Sequence, residues 1–268
     1  MNGPLLRHSW RSQRLKLLAV SIGLFLWGFL LPVVYASFGI QFRRVVESGI
    51  VPAEFAEFGG GDIFSLSGSI TLGFVHPIAI ALLAIFAVGF AVGSVAGERQ
   101  RGTLEVLLSR PVSRRALYRT LLLAVTLFIM VATAAIIAGS LVGSLLWDVL
   151  DEIDLVGVPV LWLNAILLFL AFASIGLAAS VSFDRVTPAL ALTVLIVILS
   201  YFLQVIGSLW PDAEPLQPYS LFSYLQPKPI LDDAAVPVGD MALLAVVALA
   251  AILYSLLVFP RRDLAAPS

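Results

Sequence analysis

Six stretches of this chain are each long and apolar enough to cross a bilayer, which takes about 20 apolar residues. They are Leu17–Phe38, Pro77–Ala96, Leu117–Trp147, Val158–Phe183, Val186–Trp210 and Met241–Phe259, the third longer than one crossing needs. In hydrocarbon every backbone N–H and C=O must be bonded within the protein, which leaves helices and closed barrels. The alternation of a barrel strand is missing. The expected fold is therefore an all-α integral membrane protein with six transmembrane helices. Composition agrees. Of 268 residues, 60% are apolar and 12% charged, against about 45–50% and 25% in a soluble domain. With no Cys, disulfides, thiolate metal sites and Cys nucleophiles are excluded. Two His residues, His8 and His76, leave little material for a histidine metal site.

Lys and Arg set the orientation. All but Arg43, Arg44 and Lys228 of the 16 basic residues fall in the N-terminal tail, the second and fourth connections and the C-terminal tail. Of the 17 acidic residues, 13 fall on the other side. Both termini are therefore expected in the cytoplasm, in a multi-pass protein of the cell membrane. The first apolar run exceeds the 7–15 residues of a signal-peptide core and reads as a span.

Residues 1–16 contain RHSWRSQRLK, in which Arg7, Arg11 and Arg14 share a helical face. This suits a short helix on the cytoplasmic membrane surface, or a positive flank that only sets topology. The first outer loop, Gly39–His76, holds Gly59–Asp62 (GGGD), which reads as a turn. Ser65–Val75 is expected as an interfacial helix, with Pro77 in the first turn of the true span. The third connection carries Asp148, Asp151, Glu152 and Asp154 and reads as outer-face charge. The last outer loop, residues 211–240, holds six of the 15 prolines. Its apolar run Tyr219–Leu225 suggests either a segment dipping into the membrane interface or a cap on the helix ends.

The informative segment lies between the second and third spans, over residues 97–116. From Gly97 the chain reads GERQRGTLEVLLSRPVSRRALYRT. Gly102 can end the helix leaving the membrane, and Thr103 can cap a new short one. Leu104, Leu107 and Leu108 make one apolar stripe. Arg101 and Glu105 are spaced for an ion pair. Pro111 pushes Arg110 out of helical geometry, and Ser113 can cap the third span. Topology needs only the positive charge. The stripe asks for a surface to bury against: lipid, the protein's own helices, or the groove of a soluble partner. Gly102 and Pro111 would fix the helix angle and pass partner motion to the second and third spans.

The run ERQRGTLEVLLSRPVSRRALY resembles the signature of the type-2 ABC exporter permeases, E-R-x-x-G-T-L-x-x-L-L-x-x-P-[IV]-S-R. The matching residues are Glu98, Arg99, Gly102, Thr103, Leu104, Leu107, Leu108, Pro111, Val112, Ser113 and Arg114. Six spans, cytoplasmic termini, a basic entry segment and a Pro-rich last outer loop extend the resemblance over most of the chain. Where many members have a Lys after the Ser-Arg-Arg element, this chain has Arg119, Thr120 and Leu121. The resemblance implies a single transmembrane permease domain over 1–268. Its short cytoplasmic coupling helix would dock a separate ABC ATPase through Glu98, Arg99, Arg101, Gly102, Thr103, Leu104, Glu105, Leu107, Leu108, Pro111, Ser113 and Arg114. It further implies two permease chains, identical or not, and two ATPases. ATP and Mg would bind the ATPase, with no cofactor in this chain and no nucleic-acid partner.

Independent of the resemblance, the chain lacks an engine. Lys16 and Lys228 have no Walker A context. Apart from Arg119 at the start of the third, the spans hold no ionisable group of the kind ion-driven transport uses, only Asn164, Gln204 and scattered Ser and Thr. An energised partner is therefore expected, and no catalytic residue in this chain. Gly139 and Gly143, with Ser140 and Ser144, form a small-xxx-small pattern for close helix packing, within the chain or at a dimer seam. Two other readings compete. One is a membrane anchor that transports nothing. The other is an intramembrane serine protease using Ser144 or Ser208 with His76. The apolar interior favours a lipid-like, drug-like or amphipathic cargo.

Overall fold

The computed structural model describes residues 3–48, 64–104, 109 and 112–262. Six helices among them have the length and apolar character to cross a membrane: Gly3–Gly39, Pro77–Gln100, Arg114–Leu146, Leu155–Ser182, Val186–Leu209 and Val238–Arg261. No strand occurs among the described residues. The all-α, six-span expectation holds. The Gly59–Asp62 run lies outside the described residues.

The N-terminal segment differs from expectation. Gly3–Glu47 is one helix of 45 residues, roughly 68 Å long at 1.5 Å per residue. Residues 3–16 run into the first span with no break and form no separate helix. Between Leu5 and Ile22 there is no Gly or Pro to stop the first span, and starting a second helix would cost a new nucleus. Arg7, Arg11 and Arg14 remain exposed. The opposite face packs on the protein. Ser9 is buried, the Trp10 ring lies 5.7 Å from that of Phe128, and Leu17 clusters with Phe86, Ala124 and Phe128.

Leu66–Val75 is a helix, capped by Ser65, whose Oγ accepts from the Gly68 N–H at 3.1 Å. It is buried at every position but Leu72. His76 is extended, with ψ 141°, as a following proline requires. Its Nδ1 accepts from the Ile78 N–H at 3.3 Å and so caps the second span, with Pro77 in the first turn. The ring of Trp27 lies 4.6 Å from that of His76, and its Nε1–H donates to the Gly73 carbonyl at 3.0 Å.

The first and third spans pack backbone to backbone. A Cβ on Gly28 would overlap the Ile136 carbonyl, and one on Gly139 the Phe25 carbonyl. A Cβ on Gly143 would sit 2.6 Å from the Phe29 carbonyl oxygen. Only glycine allows these approaches, so the small-residue pattern faces the chain's own first span.

The Pro-rich loop is folded onto the helix ends. It forms 3-10 turns over Pro211–Tyr219 and Leu221–Tyr224 and a short helix over Pro227–Asp233. Phe222, Leu225, Ile230 and Leu231 are buried. Asn164 of the fourth span holds it, donating from Nδ2 to the Tyr224 carbonyl at 3.0 Å and accepting the Gln226 N–H at 2.9 Å. Ser200 of the fifth span accepts the Leu221 N–H at 2.8 Å. Of the two readings of Tyr219–Leu225, the cap is the one observed. In the acidic third connection, Glu152 accepts the Tyr35 hydroxyl at 2.6 Å, and Asp154 accepts the Val156 N–H at 2.8 Å.

Candidate functional site

The second span does not leave the membrane as a plain α-helix. Residues Gly93–Gly97 form a π-turn, a feature that misaligns backbone donors and recurs at functional sites. Ser180 of the fourth span bonds to this turn. Its hydroxyl accepts the N–H groups of Val95 and Ala96 at 3.1 and 2.9 Å and donates to the Val92 carbonyl at 2.7 Å. One fully buried hydroxyl thus locks the bulge to the neighbouring span.

Beyond the bulge the helix runs Glu98–Gln100 and ends at Gly102, whose φ is 69°. The Gly102 N–H bonds to the Arg99 carbonyl and the Thr103 N–H to the Glu98 carbonyl, both at 2.9 Å. This pair of bonds is a Schellman ending, which needs a left-handed residue at the position Gly102 holds. The Thr103 hydroxyl faces backward, donating to the Glu98 carbonyl at 3.1 Å and to its carboxylate. The same carboxylate pairs with Arg101. Glu98 is therefore partnered inside the turn, by Arg101 rather than Arg99.

Leu104 is buried at 1% exposure and belongs to the main core cluster. The leucine stripe thus starts inside the protein, so Leu104 roots the segment rather than offering a contact surface. Glu105, Leu107, Leu108 and Pro111 lie outside the described residues. Val112 packs against the same core, and Ser113 caps the third span, its Oγ accepting the Ala116 N–H at 3.2 Å.

The arginines at the two ends of the segment turn toward the rest of the protein. Arg99, its side chain 9% exposed, donates from Nη1 to Asp184 Oδ1 at 2.8 Å and to the Phe183 carbonyl at 3.3 Å. Gln100 Oε1 accepts the Val186 N–H at 3.0 Å. Arg114 donates to the carbonyls of Phe259, Pro260 and Arg262 at 3.1, 3.5 and 2.5 Å. These are carbonyls at the end of the sixth span, where a helix leaves its last carbonyls without donors of its own. Arg262 in turn donates to the Val181 carbonyl at 2.8 Å and to Asp184 Oδ1 at 3.0 Å. The segment is bonded beyond the second and third spans that it joins. Its base is bonded to the turn between the fourth and fifth spans and to the end of the sixth.

Four residues of this site escaped the sequence reading: Gln100, Ser180, Asp184 and Arg262. Asp184 carried a signal, as an acidic residue on the basic side of the chain. Ser180 carried none, because its role depends on a bulge in another helix.

Among the described residues no group of His, Asp and Glu is placed to hold a metal ion. The protease candidates do not assemble. The Ser144 and Ser208 hydroxyls donate to carbonyls of their own helices, Ser140 and Gln204, both at 2.8 Å. His76 is occupied as a helix cap, and burial lowers its pKa below the usual histidine value.

A family model described as ABC-2 family transporter protein matches residues 10–264. No curated protein and no solved structure matches the chain.

Proposed function

The chain belongs to the ABC-2 family of transporter proteins, and from that membership we propose that it is the transmembrane subunit of an ATP-driven exporter. It couples to a separate cytoplasmic ABC ATPase through residues 98–115. The observation that carries this reading is the anchoring of that segment at both ends: Ser180, Asp184 and Val186 hold its entry, and the carbonyls of Phe259, Pro260 and Arg262 hold its exit. A segment fastened in this way transmits force, whereas a topology-setting loop needs no such fastening. With Leu104 rooted in the core, the partner contact falls to Leu107 and Leu108. Glu98, Arg101, Gly102 and Thr103 shape the turn that presents them. Two permease chains and two ATPases would form the transporter in the cell membrane, with the termini and ATP, with its Mg, on the cytoplasmic side.

A cargo of lipid-like or amphipathic character is supported by a groove of about 430 Å3 between the second and fifth spans. Its walls include Ile80, Ile85, Val88, Leu190 and Val194, with the Tyr201 side chain alone bearing a hydroxyl.

The test is Leu107→Asp in the chain co-expressed with its ATPase. The expected outcome is normal membrane insertion with loss of the bound ATPase. Retention of the ATPase and of its cargo-stimulated hydrolysis would overturn the coupling role of the stripe. ATPase binding without movement of any cargo would identify a membrane anchor instead.

A further inference from the structure

Both ends of the segment between the second and third spans lead to one place, the last turn of the sixth span. At the entry, Arg99 reaches it through Asp184. Oδ1 of that carboxylate accepts from Arg99 Nη1 at 2.8 Å and from Arg262 Nη2 at 3.0 Å. At the exit, Arg114 reaches it directly, through the carbonyls of residues 259, 260 and 262. We infer that Asp184 is a positioning residue that makes the entry of the coupling segment, at Arg99, and the end of the sixth span move as one body. The inference rests on reading residues 98–115 as the ATPase contact.

The charge balance supports a single-residue role. Arg99 and Arg262 are like charges, and only an anion between them holds them at one point. Asp184 is that anion. Among the described residues Arg99 has no second hold: its Nε and Nη2 are buried without a partner there, and both acceptors of its Nη1, the Asp184 carboxylate and the Phe183 carbonyl, belong to the same turn. A planar guanidinium supplies a fixed fork of donors, so its direction follows that of the turn. Asp184 itself is 62% exposed. It fills no core space, and its replacement removes the shared carboxylate without opening a cavity, leaving only the bonds of Arg99 to the Phe183 carbonyl and of Arg262 to the Val181 carbonyl.

The chain has no Cys, so spin labels can be placed at Arg101→Cys and Arg261→Cys, both exposed positions. In the full chain in lipid nanodiscs, the native pair is expected to give one narrow distance distribution. Asp184→Asn broadens it, and Asp184→Glu, which keeps the charge, restores it. Arg262→Gln breaks the link from the other side and should broaden the distribution as Asp184→Asn does. The same distribution in native, Asp184→Asn and Arg262→Gln chains would overturn the inference. In the complex with the ATPase, trapping with ATP and vanadate should leave the native distance unchanged and separate the labels in Asp184→Asn. A native pair that separates as far as the variant pair overturns the inference. If no ATPase binds, the functional reading fails, while the nanodisc distances still decide whether Asp184 joins the two elements.

Discussion

The guanidinium of Arg114, in the first turn of the third span, donates to the backbone carbonyl of Phe259 at 3.1 Å while its Cζ lies 6.0 Å from the centre of the Phe259 ring. One side chain therefore closes the end of the sixth span by hydrogen bonding and by cation–π attraction. Three carbonyls share its Nη1, and the flat guanidinium faces the ring, a combination a lysine ammonium does not reproduce. Arg114→Lys should loosen the C-terminal turn. Bonds to charged groups contribute about 1.5–3 kcal/mol each, so Arg114→Ala should also lower the melting temperature in detergent. Limited proteolysis at the C-terminus reads the first effect and thermal unfolding the second.

Ser180→Ala removes the partner of two buried amides in the π-turn. Leaving a buried donor unsatisfied costs about 1–3 kcal/mol, so this small substitution should be among the most destabilising serine changes in the chain. Ser182→Ala is the comparison. Its hydroxyl bonds to the Ala178 carbonyl of its own helix and to Tyr254, and its loss should cost much less. Equal thermal shifts for the two variants would sink this account of the bulge.

Gly139→Ala places a methyl group into the Phe25 carbonyl, where backbone cannot yield cheaply. Gly89→Ala meets nothing within 4 Å. Overpacking costs typically about 1–3 kcal/mol. The first variant should give a reduced folded yield on gel filtration after extraction, and the second a native yield.

His76 gives a pH dependence of known sign. Burial lowers its folded pKa below the ordinary 6.5, and its Nδ1 must be unprotonated to accept the Ile78 N–H. A group with a depressed folded pKa contributes stability above its unfolded pKa, and that contribution is lost as pH falls through the folded value. Melting temperature should therefore drop on acidification below 6.5 more in the native chain than in His76→Asn, whose amide oxygen caps at any pH. Identical pH profiles would refute the assignment.

Orientation is testable on the Cys-free background. Glu57→Cys and Asp233→Cys should react with an impermeant thiol reagent in intact cells. Ser109→Cys should react only after permeabilisation. Labelling of position 109 from outside would reverse the topology.

The number and approximate limits of the spans, the helix before Pro77 and the caps at Ser113 and Gly102 were legible in the sequence. Each depends on residues within a turn or two of one another, and hydrocarbon admits one solution for a long apolar run. The family signature was legible for the same reason, being a continuous motif. The continuous helix from Gly3 was missed because a basic stretch reads as a boundary. In the fold its apolar face, with Ser9 and Leu17, finds the second and third spans to pack against. The burial of Leu104 was open because a stripe declares that it must be covered and not by what. The joining of Arg99 to Asp184, Arg262 to Asp184 and Arg114 to Phe259 spans 85, 78 and 145 residues of chain. No periodicity or spacing rule reaches that far. Those partners were chosen only when helix packing brought these ends of the spans together and placed the Asp184 carboxylate and the unpaired helix-end carbonyls within reach of the arginines.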